Sequence, residues 1–511
     1  MNGDRDDLAV RSAVAFMWGT GGSIVRIFLQ LGIQVALARL LGPAVYGVFA
    51  FGVLVVGLAS YFADFGLAYG LIQKQNTTDD DVRFVWTWQC MLGVVIGALM
   101  FALAGPLAEL FAKPETRPVF AWLSLVCMLN ALTAPSTNLL KKTLDYRTLQ
   151  VAQLAGYLAG YFCVGLPLAL AGAEVSALIA AMVVQACVIL VVQYARVRHP
   201  LGLRFWLPGG RAMLTYGATV LATNLVNWLL TSADKLMVGR LFPTHVIGVY
   251  SIAFNLVNAP AAAAYSNLQS VVFSAGARLQ EDMQGLKSAF LRLLAAVIVG
   301  AFPLFALLAV GAGLAIDGIY GARWSEATPF LRIFAFAMPS LLIWGISTPV
   351  LWNTGRITLE VRMQVPMVLA WAAVLVAVAS QPASVFALAA AVLLAARAAI
   401  MAVVAGRILA VTPGEAWRAL SGGVAMTATM IGVTSYLLVP LASALQGPQL
   451  RLAVLLGSGA SIYLLSIVLL GPLLLDRLLA RAVTAMARRL PRRLARLVSI
   501  ATREGVFTWP K

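Results

Sequence analysis

The sequence predicts an all-α integral membrane protein of about 14 transmembrane helices, set out as two six-helix lobes related by an internal repeat plus two C-terminal helices. Three observations predict it. Of 511 residues, 61% are hydrophobic and only 11% charged, against about 25% charged in an ordinary soluble domain. Apolar stretches of about 18 to 25 residues recur along the whole length, the span needed to cross roughly 30 Å of hydrocarbon. One outer turn in the first lobe is repeated at the matching place in the second. A mean hydropathy of +0.89 does not arise from one buried core, whose surface needs polar cover; it follows when lipid is the solvent. Barrel strands, about 10 residues long and alternating, do not fit these runs.

Taken in order, the expected spans lie near 12–38, 44–70, 83–104, 117–139, 150–171, 174–195, 212–237, 246–270, 288–312, 328–352, 363–380, 384–406, 419–442 and 451–475. An N-lobe then occupies 1–205, a C-lobe 206–417, two further spans 418–476, and a basic amphipathic tail 477–511. The tail, interrupted by Pro491, is expected to lie on anionic headgroups as an interfacial helix. No break between spans has room for a catalytic domain. A cleaved leader is not expected, because the acidic start (Asp4, Asp6, Asp7) and the long first apolar segment both depart from that pattern.

The net charge of +17 follows the positive-inside bias rather than nucleic-acid binding. With both termini cytoplasmic, inside segments carry roughly 27 Lys and Arg and outside loops about 8. Lys141, Lys142 and Arg147, then Arg196, Arg198, Arg204 and Arg211, then Arg278, Lys287 and Arg292 make the inside clusters.

The repeat is ungapped. "RLLGPAVYGVFAF" begins at Arg39 and "RLFPTHVIGVYSI" at Arg240, an offset of 201 at which Arg39, Leu40, Val45, Gly47 and Val48 recur as Arg240, Leu241, Val246, Gly248 and Val249. Phe49 meets Tyr250. Six spans per repeat place both halves the same way up, a parallel duplication.

Polar residues inside hydrocarbon mark candidate sites. A charge at mid-membrane costs from about 2.5 to well over 10 kcal/mol, so it normally faces protein or water. Arg26 lies near the middle of the first span, and on a 3.6-residue helix Ser23, Arg26, Gln30 and Gln34 share one stripe. The repeat offset converts that stripe to Asn224, Asn227, Thr231 and Lys235, so the first helix of each half carries a polar face. The expectation is that these faces line a hydrated cavity. Arg26, Gln30, Gln34, Asn227, Thr231, Lys235 and Arg397 are the candidate substrate-binding residues, while Asp64 and Asp234 are candidates for ion pairing or coupling. Interhelical hydrogen bonding is the plainer reading for Gln30 or Thr231. Asn255, Asn258 and Tyr265 beside Pro260 suggest a bent helix lining the same space.

Catalytic constellations, cofactor motifs and metal-ligand sets are not seen. His199 and His245 lie in or beside loops, and Cys90, Cys127, Cys163 and Cys187 sit in or at the edge of apolar spans without metal spacing.

The segment "LARLLGPAVYGVFAFGVLVVGLASYFADFGLAYGLIQKQN" from Leu37 resembles the polysaccharide transporter family of the multidrug/oligosaccharidyl-lipid/polysaccharide exporter superfamily, where an "LGP…YG" turn precedes an "FADFGL" helix end. "TSADKLMVGRLFPTHVIGVYS" at 231–251 and "PSTNLLKKTLDYRTL" at 135–149 are similar to its second turn and to its loop after the fourth span. Within the family the chain looks most similar to the exopolysaccharide (colanic-acid-like) exporters.

The resemblance implies a Wzx-type flippase. Such proteins move undecaprenyl-pyrophosphate-linked oligosaccharide units across a bacterial inner membrane for exopolysaccharide, capsule or O-antigen assembly, alongside a polysaccharide polymerase and co-polymerase. In related flippases, cationic residues on the first helices hold the pyrophosphate, and Arg26 sits where such a residue would be. The expected mechanism is alternating access through a cationic cavity, with no cofactor and no nucleic-acid partner. A drug or cation antiporter on the same scaffold predicts a carboxylate-dominated cavity, against which Arg26, Lys235 and Arg397 argue. A membrane glycan polymerase or ligase predicts a large outer loop, longer than any break here.

Overall fold

The computed structural model describes residues 2–74, 77–208, 210–278, 282–438, 440 and 445–474, with side chains described over most of these from Gly22 onward. The tail expected at 477–511 and the side chain of Ser23 lie outside the described residues. The described residues form helices and connecting turns, and no strand occurs among them.

Contacts divide the chain into two compact units, Met1–Ser251 and Ile252–Lys511. The first contains α1 (Asn2–Asp64), α2 (Leu67–Gln73), α3 (Asp79–Ala102), α4 (Ala104–Leu110), α5 (Arg117–Lys142), α6 (Tyr146–Tyr157), α7 (Leu166–Leu170), α8 (Glu174–Val197), α9 (Gly210–Leu241) and the start of α10 (Thr244–Arg278). The second contains the rest of α10, α11 (Met283–Ala296), α12 (Phe302–Val310), α13 (Ala312–Ile319), α14 (Thr328–Asn353), α15 (Ile357–Ala377), α16 (Ala383–Ile408), α17 (Pro413–Val433) and α18 (Pro448–Leu474). The unit boundary thus falls inside α10, whereas the repeat boundary expected from the sequence lies at 205/206.

Ten helices among the described residues are long and apolar enough to cross a membrane, and Arg362–Ala377 is a shorter apolar helix. The two spans expected at 12–38 and 44–70 run into one another as α1, which is broken at Gly42 (φ 76°, ψ 174°) before Pro43. The proline has no N–H to give and its ring crowds the carbonyl four residues back, so the chain must re-aim there, and glycine tolerates the positive φ. α9 covers the expected span 212–237, while α17 and the π-helical turn Thr434–Leu438 reach only to 438 of the span expected at 419–442.

Prolines also explain two irregular turns. Leu158–Gly165 and Val297–Ala301 are π-helical, and each runs into a proline at the start of the next helix, Pro167 and Pro303. A proline cannot bond the carbonyl four residues before it, and a wider turn absorbs the mismatch. For Pro303 that carbonyl belongs to Val299, and the Tyr463 hydroxyl donates to it at 2.6 Å from α18. The freed acceptor is therefore met inside the core that α11, α12, α17 and α18 build from Ala295, Leu307, Met426, Met430 and Ile467.

Helix ends are fixed by side chains. Thr78 and Asp81 make a reciprocal capping box on α3, and Thr412 and Glu415 make one on α17. Buried Asp81 also receives Lys74 at 2.7 Å. Lys142 closes the end of α5 onto the Leu71 carbonyl at 3.2 Å and onto Thr77. Asp145 caps α6 through the Thr148 N–H at 3.0 Å and pairs with Arg196 at 3.2 Å. Burial acts to raise the Asp145 carboxyl, but the donors from Thr148 and Arg196 outweigh it and hold it below the usual carboxylate range. Lys287 at 2.8 Å is the chief cause that brings Glu415 down to about 2.

Candidate functional site

The polar stripe of α1 lies in the first unit, where it meets phenols. Gln34 Nε2 donates to the Tyr46 hydroxyl at 2.6 Å, and the Tyr157 hydroxyl donates to the Gln30 carbonyl oxygen at 3.2 Å. Tyr157 stacks on Tyr161 with centroids 4.7 Å apart. The Gln30 side chain is exposed and that of Arg26 half-buried. The Arg26 Nε–H is shielded from solvent and has no acceptor among the described residues. A guanidinium donates only, so an N–H unmet among the described residues is an offer to an outside acceptor.

The equivalent stripe on α9 behaves differently. Thr231 is exposed and its hydroxyl bonds back to the Asn227 carbonyl at 2.8 Å, satisfied within its own helix. Lys235 Nζ donates to the Thr231 carbonyl at 2.6 Å. Asp234 points elsewhere: it is buried and accepts from the Tyr250 hydroxyl at 2.5 Å. Asp234, a candidate for ion pairing, takes a hydrogen bond from a tyrosine and has Lys235 within electrostatic reach.

Asp64 closes α1 and accepts from Gln89 Nε2 at 2.9 Å, with Lys141 in electrostatic reach. Neither Gln89 nor Lys141 was singled out by the sequence reading, because one lies in an apolar run and the other in a basic loop cluster.

Arg397 belongs to the second unit, where it is 2% exposed. Its guanidinium carbon lies 3.9 Å from the Trp344 ring centroid, and Tyr265 stacks on that indole at 5.3 Å. Tyr265 is the repeat counterpart of Asp64. Glu360, also buried, accepts from Trp352 Nε1 at 2.5 Å and from Gln364 Nε2 at 2.7 Å, and it attracts Arg397. Glu360 and Trp344 escaped the sequence reading. The only signal for Glu360 is a carboxylate within a turn of an apolar stretch.

These helices and their enclosed charges define an all-α, multi-pass membrane protein that keeps permanent cations within its helix packing. Residues 36–329 match the family described as polysaccharide biosynthesis protein, more than half of the chain, and the protein belongs to that family. The lipopolysaccharide biosynthesis protein WzxC of Escherichia coli (strain K12) is 24% identical over 318 residues, 62% of this chain and 64% of that one. The succinoglycan biosynthesis transport protein ExoT of Rhizobium meliloti (strain 1021) is 24% identical over 320 residues, 63% of this chain and 65% of that one. The chain thus spans just under two thirds of the length of these relatives. Among solved structures, the lipid II flippase MurJ in an inward closed conformation superposes with a TM-score of 0.68 at 11% identity, covering 88% of this chain and 98% of that one. The fold is shared with that protein.

Proposed function

We propose that the chain is a flippase rather than an enzyme, moving undecaprenyl-pyrophosphate-linked oligosaccharide units from the cytoplasmic to the periplasmic leaflet of a bacterial inner membrane, with both termini cytoplasmic. The units then feed exopolysaccharide, capsule or O-antigen assembly by a polymerase and co-polymerase. Family membership, a relative named as a transport protein and a fold like that of a lipid II flippase support this reading.

The observation that carries it is the Nε–H of Arg26, solvent-shielded and without an acceptor among the described residues. A lipid-linked pyrophosphate has a head that hydrocarbon excludes and a tail that water excludes. A guanidinium meets phosphate bidentately, and away from bulk water that attraction strengthens. Gln30, Gln34, Asn227, Thr231, Lys235 and Arg397 are the further substrate-binding residues, and Asp64 and Asp234 serve ion pairing or coupling. Access alternates between the two sides of the bilayer. Each negative charge carried outward gains about 2.3 kcal/mol per 100 mV when the cytoplasm is negative.

The test is repeat-unit export in cells holding Arg26→Ala or Arg26→Lys at matched protein level. Export falls at least about tenfold with alanine, the loss expected of one charge-assisted contact, and less with lysine. Undiminished export by Arg26→Ala overturns the reading.

A further inference from the structure

The second unit holds a group of donors around Arg397, and the flippase reading leaves open which part of the substrate they take and how the empty site is kept. Arg397, on α16, sits over the Trp344 ring of α14 at 3.9 Å from its centroid, the arrangement by which a ring face holds a cation. Guanidinium and indole both donate hydrogen bonds and accept none. The Trp344 Nε1–H is shielded from solvent and has no acceptor among the described residues, although buried N–H groups are nearly always met. An unmet donor beside a cation fits a ligand rich in acceptors and negative in charge.

Glu360 explains how such a group persists without one. It is 8% exposed, and each of its oxygens takes a bond from an uncharged donor, Trp352 at 2.5 Å and Gln364 at 2.7 Å. Arg397 is within its electrostatic reach. The titratable groups facing Glu360 are Arg397 from α16 and the Tyr265 phenol from α10. From α14 come two indoles, while the adjoining α11 residues Leu286 and Phe290 are apolar.

We propose that Arg397 and Trp344 form an anion site for a phosphate group, and that Glu360 balances the Arg397 charge while the site is empty. The proposal rests on the flippase reading in taking that phosphate to belong to a lipid-linked pyrophosphate. An arriving phosphate pairs with the guanidinium and accepts the Trp344 N–H. Its charge then opposes that of Glu360, and protonating Glu360 removes the opposition. Anion binding therefore tightens in acid, through this carboxylate.

The experiment titrates inorganic pyrophosphate by calorimetry into the purified full chain in detergent at pH 8 and pH 6. All variants are made in an Arg26→Ala background, so that the Arg26 guanidinium does not contribute. Trp344→Phe keeps the ring beneath Arg397 and removes only the N–H; binding weakens about tenfold. Glu360→Gln removes the charge and keeps one of the two bonds, since only its amide oxygen accepts; binding at pH 8 tightens about tenfold. In that variant the affinity gain between pH 8 and pH 6 shrinks to whatever pyrophosphate's own protonation supplies. The double variant Arg397→Gln with Glu360→Gln, which strands no buried charge, loses binding. Equal affinities in the background chain, Trp344→Phe and Glu360→Gln overturn the proposal, as does undiminished binding by the double variant if the single variants do not fold. The flippase reading fails separately, by undiminished repeat-unit export from Arg26→Ala cells.

Discussion

Gly47 and Gly248, which occupy equivalent places in the two copies of the internal repeat, pack against each other's turns. A Cβ built on Gly47 would lie 1.8 Å from the Thr244 carbonyl oxygen, and one built on Gly248 would lie 2.0 Å from the Pro43 carbonyl oxygen. The two duplicated turns therefore meet reciprocally, and each glycine is needed because the other copy's backbone occupies the space a side chain would take.

Gly47→Ala and Gly248→Ala are accordingly expected to destabilise the protein by about 3 kcal/mol each, at the upper end of overpacking costs because the obstacle is backbone. Thermal unfolding of the purified variants in detergent measures this. Wild-type stability in either variant removes the close approach. Gly57→Ala, where a Cβ meets nothing within 4 Å, serves as the control.

The bond between Asp234 and Tyr250 has an apolar counterpart in the first copy, since the repeat offset places Ile33 and Phe49 there, both buried. Tyr250→Phe leaves a buried carboxylate without its donor and is expected to cost about 2 kcal/mol. Replacing both partners, as Asp234→Ile with Tyr250→Phe, recreates the first copy's pair and recovers part of that loss, because the carboxylate leaves together with its donor while Lys235 gives up an attracting charge. A double variant less stable than Tyr250→Phe alone contradicts this.

His199 follows the end of α8, is 5% exposed, packs its ring edge against Tyr194 at 5.2 Å and leaves Nε2 without a partner. Burial holds its imidazole below the ordinary value of 6.5, with the Pro200 carbonyl opposing weakly. A base that resists protonation when folded contributes stability that is complete above the unfolded value and is lost as pH falls below it. The melting temperature of the wild type should therefore fall more than that of His199→Phe between pH 7.5 and pH 5.5. Parallel pH profiles for the two proteins would show that His199 stays solvated.

Span positions were legible in the sequence because lipid imposes a condition on each segment by itself. A run of sufficient apolar length satisfies its backbone internally as helix whatever its neighbours do. α5, α8 and α16 lie where the apolar runs at 117–139, 174–195 and 384–406 placed them. The break at Gly42 falls in the interval the sequence left between the spans at 12–38 and 44–70. The unit boundary inside α10 was not visible at all.

The site was legible only as a set of misplaced residues. Arg26 and Arg397 stood out because no short-range reason puts a guanidinium in an apolar run. Glu360, Trp344, Gln89 and Lys141 did not, being a loop charge, a hydrophobe, a lone amide and one of a basic cluster until folding gave them partners.

The amino-acid sequence by itself determined that this chain lives in lipid, about where its apolar runs lie, and that one turn's pattern recurs 201 residues on. Only the tertiary structure decided that Asp234 bonds Tyr250, that Glu360 attends Arg397, and that Gln30 receives a phenol from 127 residues away. The physical reason is range: solvent acts on every residue where it stands, whereas a directed contact requires the rotation and packing of two helices to be settled together.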